Sequence, residues 1–457
     1  MTRFPAPASS PRLSWGWRAL LILSATGLVP ACGDLLEVQD PDNIPPETLD
    51  NPSGATTLYN GAIGEFASAI DGESSSLEGQ ILVSELLTDI WVNSETDPGR
   101  QEIDRRRTDT RNFTLLQVFR NLHRARVSAE RAATALETFS LDGIADPRIP
   151  EMRSLAAYTY VHAGENYCSG VPFSTTEPDI TFGEPLTTSQ IFDSALARFD
   201  LALATPGLTE DVANLASVGR GRALLDQARF AEAAAAVAAV PTEFRFVSEH
   251  SVSTVFQENA VYRMNVDVER WSVANLEGTT GLPYRDAADP RVPFFLDPSD
   301  GVGFDGSTPQ FNLLKYGSPA AAVTIADGVE ARLIEAEAAL QAGDAVTWLA
   351  RLNELRSALT TLRPETPGTL DPLADPGAPE DRIDLMFSER AFWFFGSGHR
   401  LGDLRRLVRQ YGRAAESVFP TGPYFKGGQY GPDVNLPIPF DELNNPLAES
   451  GCLDRNA

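Results

Sequence analysis

Ala331-Arg332-Leu333-Ile334-Glu335-Ala336-Glu337-Ala338-Ala339-Leu340-Gln341-Ala342-Gly343-Asp344 sets the architecture of this chain. Apolar residues return every three or four positions, the period of one helix face. Alanine is so frequent that a second helix can approach closely, and the glycine breaks the run where the chain must reverse. Ala223-Leu224-Leu225-Asp226-Gln227-Ala228-Arg229-Phe230-Ala231-Glu232-Ala233 repeats the plan: a helix, a tight break, then a second helix.

Each stretch is similar to a tetratricopeptide unit, but the two lie about a hundred residues apart instead of in tandem. The pattern implies a helical-repeat scaffold interrupted by insertions. Outward from it, helical spacing predicts helices over 55–70, 78–91, 115–138, 150–167 (Pro150 near the start), 188–204, 211–228 and 230–239. Residues 242–328 hold many glycines and prolines and only short alternating runs such as Phe244-Arg245-Phe246-Val247. They predict long loops with small strands, the kind of insertion that carries function. Residues 364–380 are proline-rich and predict a surface loop. The expected fold is mainly α: one helical-repeat domain over 51–457 with a loop-rich insertion at 242–328.

The formal charge of the 457 residues is −26. Residues 1–31 hold three arginines and no acid, so the remainder is more acidic still. Such a surface repels phosphate backbones, which excludes nucleic acid as an expected partner. The three cysteines, Cys32, Cys168 and Cys452, form no C-x-x-C pair, and His123, His162, His250 and His399 are scattered. Zinc ribbons, thioredoxin-type sites and zinc hydrolases therefore have no support, and no metal or cofactor is expected. Neither a G-x-S-x-G motif nor a phosphate-binding loop occurs.

The first 32 residues read as an export segment. Arg3, Arg12 and Arg18 precede the apolar run Ala19–Val29, which has the length of a signal-peptide core and is too short to span a bilayer. Val29-Pro30-Ala31-Cys32 follows. A small residue before cysteine is the pattern of a bacterial lipobox, in which the cysteine thiol takes a diacylglycerol and cleavage falls after Ala31. Asp34, Glu37, Asp40 and Asp42, then Pro41, Pro45 and Pro46, make residues 32–50 an acidic, proline-containing tether. These features predict a lipid-anchored outer-membrane protein facing the cell surface. Cys32 is then consumed by lipid. Cys168 and Cys452 are left in an oxidising compartment, either as a disulfide, which that compartment favours, or as two separate thiols.

Three stretches together carry a family resemblance. The first is Cys32-Gly33-Asp34-Leu35-Leu36-Glu37-Val38, followed by Asn60-Gly61-Ala62. The second runs from Ile383-Asp384-Leu385-Met386-Phe387-Ser388-Glu389-Arg390 through Gly398-His399-Arg400-Leu401-Gly402-Asp403-Leu404-Arg405-Arg406. The third is Leu436-Pro437-Ile438-Pro439-Phe440-Asp441-Glu442-Leu443-Asn444-Asn445-Pro446. In order and spacing they resemble the SusD/RagB family of nutrient-capturing lipoproteins, and Asp289-Pro290-Arg291 matches a further element. Ser397 stands where that pattern has an acid, and Gly402 where it has a bulky residue. The resemblance implies a SusD-like helical fold, a lid-like partnership with a TonB-dependent, SusC-like barrel, capture of a glycan or peptide nutrient, and no enzymatic activity.

Read from the residues alone, Arg390, Arg400, Arg405 and Arg406, with Glu389 and Asp403, are expected to fasten a helix and the turn after it, with a ligand site as the competing role; His399 is expected to be a hydrogen-bonded structural residue, with a base as the competing role. For a ligand, aromatic rings suit sugars, whose C–H faces are apolar while their hydroxyls bond at the edges. Trp91 and Trp271, with Arg270 beside the latter and Tyr284 nearby, are the candidate binding residues; packing is the competing role for each ring. Two other readings stay open: an exported glycoside hydrolase using a carboxylate pair, and a tetratricopeptide-type scaffold for envelope assembly.

Overall fold

The computed structural model describes residues 49–73, 77–139, 145–175, 179–296, 301–366, 368–448 and 450–457. The signal segment 1–31, the lipid cysteine Cys32 and all but the last two residues of the 32–50 tether lie outside the described residues. Leu49–Ala457 forms one unit.

Its frame is a succession of helices, the longer ones packed on near neighbours in the chain. α1 (Pro52–Ile70) begins where the Asn51 side chain accepts from the backbone N–H groups of Ser53 and Gly54, both at 3.0 Å. α2 (Gln80–Leu86) and α3 (Pro98–Asp104) are short. α4 (Phe113–Phe139) packs on α1 and on α5 (Arg148–Asn166), and α5 packs on α6 (Thr188–Leu203). The last is started by a capping box between Thr187 and Gln190. α7 (Glu210–Asp226) packs on α5, α6 and α8 (Phe230–Val237). After the three-residue α9 (Ala260–Tyr262) in the insertion, α10 (Gly328–Gln341) returns onto α7 and α8. α11 (Ala345–Ser357), α12 (Leu359–Leu362), α13 (Pro379–Trp393) and α14 (Arg400–Tyr411) complete the set. Close helix approach has a visible cause at Gly164, where an added Cβ would stand 2.7 Å from the Phe192 ring of α6.

Strands are short and paired in twos. β1 (Gly72–Glu73) pairs with β2 (Leu77–Glu78), and β3 (Trp91–Asn93) runs antiparallel to β7 (Trp271–Val273). β4 (Val171–Pro172) pairs with β5 (Pro185–Leu186). β6 (Arg245–Ser248) pairs with β10 (Val323–Asp327), and β8 (Phe294–Leu296) with β9 (Phe311–Leu313). The 242–328 insertion thus holds loops and short strands, and 364–378 holds neither helix nor strand among its described residues.

One boundary corrects the expectation. The helix expected over 78–91 stops at Leu86, where the Thr88 hydroxyl donates to the Glu85 carbonyl at 2.6 Å. Trp91 then belongs to a strand, because Val273, far away in sequence, pairs with it across the ribbon.

Buried charge fastens the C-terminal part to the frame. Arg390 Nε donates to both Asp403 oxygens, at 3.0 and 2.9 Å, and Arg406 Nη2 reaches Asp403 at 2.8 Å and Glu337 at 3.0 Å. Arg400 forms a two-point pair with Asp89 (2.7 and 2.9 Å), and Arg291 does the same with Glu389 (2.7 and 3.0 Å). Arg405 donates to the carbonyls of Gly164, Glu165 and Tyr167 at 2.9, 2.6 and 3.0 Å, capping the C-terminus of α5 with a positive charge. His399 lies between Arg222 (3.0 Å) and the Ser397 hydroxyl (2.9 Å); burial, then the Arg222 charge, hold it neutral.

The two departures from the family pattern have local reasons. The backbone N–H groups of Ser397 and Gly398 donate to Glu85 at 3.0 and 2.7 Å, so α2 supplies the acid that the turn lacks. A Cβ at Gly402 would lie 3.1 Å from the Glu165 carboxyl carbon, and Glu165 needs that space to pair with Arg222.

Cys168 and Cys452 are joined in a disulfide, with Cα atoms 5.8 Å apart. Around it, Cys168 N–H donates to the Leu436 carbonyl and Leu453 N–H to the Ser169 carbonyl, at 2.9 and 2.7 Å.

Candidate functional site

The ribbon of β3 and β7 carries the site. Its register sets Trp91 opposite Val273 and Asn93 opposite Trp271. Both tryptophans point inward: Trp91 meets Phe395 edge-on at 5.4 Å and donates its indole N–H to Glu85 at 3.1 Å, and Trp271 is equally buried. Tyr284 is enclosed by Phe392 and Phe395, with centroids at 5.2 and 4.9 Å. The expectation that Trp91, Trp271 and Tyr284 offer ring faces to a ligand is therefore corrected. All three fill the core, where large rings bury the most apolar area.

Arg270 is different. It immediately precedes β7 and keeps part of its side chain in solvent. Its guanidinium lies 4.7 Å over the Phe304 ring and 3.3 Å from Glu95 Oε2. Glu269, just before it, adopts φ +53°, a left-handed backbone that costs a non-glycine residue about 1–2 kcal/mol and turns the chain sharply here.

Hydrogen bonds draw three loops together at this point. Ser94 N–H donates to Arg270 O at 3.0 Å, Phe304 N–H to Glu269 O at 2.9 Å and Asp305 N–H to Ser94 O at 2.9 Å. Asp305 accepts from Ser307 N–H (2.8 Å), Thr308 N–H (2.7 Å) and the Thr308 hydroxyl (2.6 Å), which makes the turn rigid. Lys426 arrives from a fourth loop and bridges Asp305 (2.7 Å) and the Glu95 carbonyl (2.6 Å). Burial works against the Asp305 charge, but Lys426 and Thr308 hold its carboxyl well below the usual range. Phe425 stands beside Lys426.

The result is a patch with two open rings, Phe304 at 55% and Phe425 at 46% exposure, beside Arg270 and Lys426, whose acidic partners Glu95 and Asp305 are largely buried. An apolar ring face beside oriented donors and acceptors matches the chemistry of a sugar ring. Phe304, not Trp271, is the ring open to solvent here, and Arg270 is the one candidate that lies against it. The available signal was local: Gly303-Phe304-Asp305-Gly306-Ser307 and Tyr424-Phe425-Lys426-Gly427-Gly428 set an aromatic among turn residues.

Beneath the patch lies a closed carboxyl cluster. Tyr424 donates to Asp104 at 2.7 Å and Tyr430 donates to Glu277. Burial pushes Glu277 up to about 7, and burial together with the Glu277 charge raises Asp104 well above its usual value. Both carboxyls are buried beneath their tyrosines, so neither meets solvent in the geometry a glycoside hydrolase requires. Elsewhere, a concavity of about 830 Å³ between α8, α10 and α11 is walled mostly by alanine, including Ala231, Ala234, Ala338 and Ala342.

Among the described residues, no group of three or more His, Cys, Asp or Glu side chains is placed to hold a metal ion, and no helix is long and apolar enough to cross a membrane.

No protein-family model matches the sequence, and no curated protein matches it. Solved structures do. A SusD superfamily protein from Bacteroides thetaiotaomicron superposes with a TM-score of 0.64 at 14% identity, over 88% of this chain and 100% of that one. Surface glycan-binding protein A from Bacteroides fluxus gives a TM-score of 0.60 at 16% identity, over 89% and 99%. A SusD-like carbohydrate binding protein from Bacteroides vulgatus gives 0.55 at 14% identity, over 78% and 83%. Since these matches extend over most of both chains, the chain has the fold of the SusD superfamily.

Proposed function

We propose that this protein is a nutrient-binding lipoprotein of the outer membrane, anchored through Cys32, that captures a glycan and delivers it to a TonB-dependent, SusC-like barrel without chemically altering it. The Phe304–Phe425 patch carries the glycan assignment. Two open rings beside charged groups suit the apolar C–H face and the hydroxyl edges of a saccharide. Two similar folds are named as glycan- or carbohydrate-binding proteins, which supports the same ligand class. The Asp104–Glu277 cluster does not serve the hydrolase alternative, because both carboxyls are covered by tyrosine.

Binding tests this directly. On a panel of neutral oligosaccharides, Phe304→Ala with Phe425→Ala is expected to weaken the best ligand at least ~10-fold, since each lost stacking contact costs about 0.5–1.5 kcal/mol beyond area burial. Circular dichroism should be unchanged because both rings are exposed. Wild-type affinity in the double variant would overturn the assignment of the patch.

The anchor and partner rest on the sequence. Cys32→Ala is expected to release the protein from membranes or leave it unprocessed, because acyl chains supply the membrane affinity. Correct processing and outer-membrane retention of that variant would remove the anchor from the proposal. A barrel is expected to co-purify with the tagged protein in mild detergent, and repeated pull-downs without one would count against delivery.

A further inference from the structure

We propose that the concavity between α1, α4 and the 250–257 loop is a second saccharide subsite, taking a neutral pyranose ring that stacks on Phe256. It rests on the glycan-binding reading for its ligand class, but shares no residue with the Phe304–Phe425 patch.

The first observation is a pair of glycines with no internal reason to be there. Gly61 and Gly64 lie mid-helix in α1, one turn apart and exposed. Glycine there disfavours the helix, and an invading neighbour normally explains it, as the Phe192 ring does at Gly164. At Gly61 and Gly64 an added Cβ would meet no atom within 4 Å among the described residues. The bare backbone instead floors a concavity of about 380 Å³. That volume accepts one or two sugar rings, and a glycine floor lets a ligand approach the helix backbone closely.

The second observation is the wall. Phe256 is 61% exposed on a short turn, yet the loop that carries it is pinned. His250 bonds the buried Asp71 at the end of α1, and its other ring nitrogen lies 3.1 Å from the Gln257 carbonyl. Ser251 contacts the Gln257 carbonyl and side chain, both at 2.9 Å. The ring is thus held open instead of folding onto the protein, so binding loses little conformational freedom.

The third observation is polarity. Arg124 of α4 and Glu65 of α1 face each other at 3.6 Å, half-open to solvent, and Asn121 lies on the same lining. A guanidinium, a carboxylate and an amide around one ring match sugar hydroxyls, which both donate and accept. Glu65 and Glu73 outnumber Arg124 on the lining, which disfavours acidic sugars.

Gly61→Gln with Gly64→Gln tests the idea, since glutamine favours the helix and its side chain occupies the concavity. Titration calorimetry would use neutral hexasaccharides of glucan, xylan, mannan and galactan type. The double variant is expected to raise Tm by roughly 2 °C. Binding at this subsite should fall at least ~10-fold, with a similar loss in Phe256→Ala. In Phe304→Ala/Phe425→Ala protein, the residual binding should vanish when either change is added. Unaltered binding in the glycine variant, with binding still abolished by the Phe304 and Phe425 changes, overturns this subsite and leaves the first intact. The reverse pattern keeps this subsite and overturns the first. A wild-type protein that binds no hexasaccharide overturns both. Loss of the co-purifying barrel in the glycine variant, with saccharide binding unchanged, would assign the concavity to protein contact and overturn it as a sugar site.

Discussion

Asp403→Ala is expected to destabilise the protein by about 3–5 kcal/mol, the cost of leaving buried charges without their partner. Asp403 accepts from Arg390 and Arg406, whose side chains are 3% and 2% exposed. Without it, two guanidiniums stay in the interior with Glu337 as their main counter-charge, at 3.0 Å from Arg406 and 3.9 Å from Arg390. Urea unfolding followed by circular dichroism measures the loss. Asp375→Ala, which removes an exposed pair with Arg382, is the control and should leave the midpoint in place. A midpoint equally unmoved in Asp403→Ala would show that the buried lattice contributes nothing net.

The same lattice fixes a direction with pH. Burial acts to raise Asp403, but Arg390 and Arg406 overcome it and hold the carboxyl depressed; Arg222 does the same for Glu165, held at about 2. A depressed carboxylate contributes stability above its unfolded value, near 4, that is lost as pH falls toward its folded value. These pairs therefore weaken between about pH 4 and pH 2, and Asp403→Ala should flatten that part of the acid-unfolding curve.

Cys168→Ala with Cys452→Ala is the second large effect. The bridge spans 284 residues. For a loop of that length the chain-entropy account gives ~5 kcal/mol, an upper guide because residual structure in the unfolded chain reduces it. The tail is also stitched by Leu453 N–H to Ser169 O (2.7 Å) and by Asn435 Nδ2 to Asn456 O (2.7 Å), so the native fold should persist without the bond. The expected outcome is a folded protein that unfolds at lower denaturant, by about 2–5 kcal/mol. Two free thiols in non-reducing mass spectrometry of the wild type would remove the premise.

The helical frame was legible because its signal is local. Leu58, Ala62, Phe66 and Ile70, or Leu115, Val118, Leu122 and Ala125, mark a buried face within one segment, and the structure buries most of each set. The bridge between Cys168 and Cys452 was legible for a different reason, since the expected export and an even count leave few choices. The site was not legible, because exposure is decided by partners far along the chain. Trp91 and Trp271 looked like binding rings because tryptophan is the largest aromatic, yet the β3–β7 pairing turns both inward. Phe304 is open because Glu269, Ser94 and Lys426 assemble the turn that carries it, and nothing local to residue 304 states that. The boundary at Leu86 fails in the same way, as a pairing partner nearly two hundred residues distant overrides a plausible helical run.

Only two lysines occur in the whole sequence, Lys315 and Lys426. Lys315 donates to the Phe395 carbonyl at 2.7 Å, while Lys426 stands in the Phe304–Phe425 patch. Amine-directed reagents therefore meet a surface with almost nothing to modify, and the side chain that matters most to them lies where the glycan is proposed to sit. Reducing sugars, which condense with free amines, find few attachment points on a protein proposed to bind them. Acylation of Lys426, followed by peptide mass, becomes an occupancy gauge: a glycan bound as proposed is expected to shield that amine.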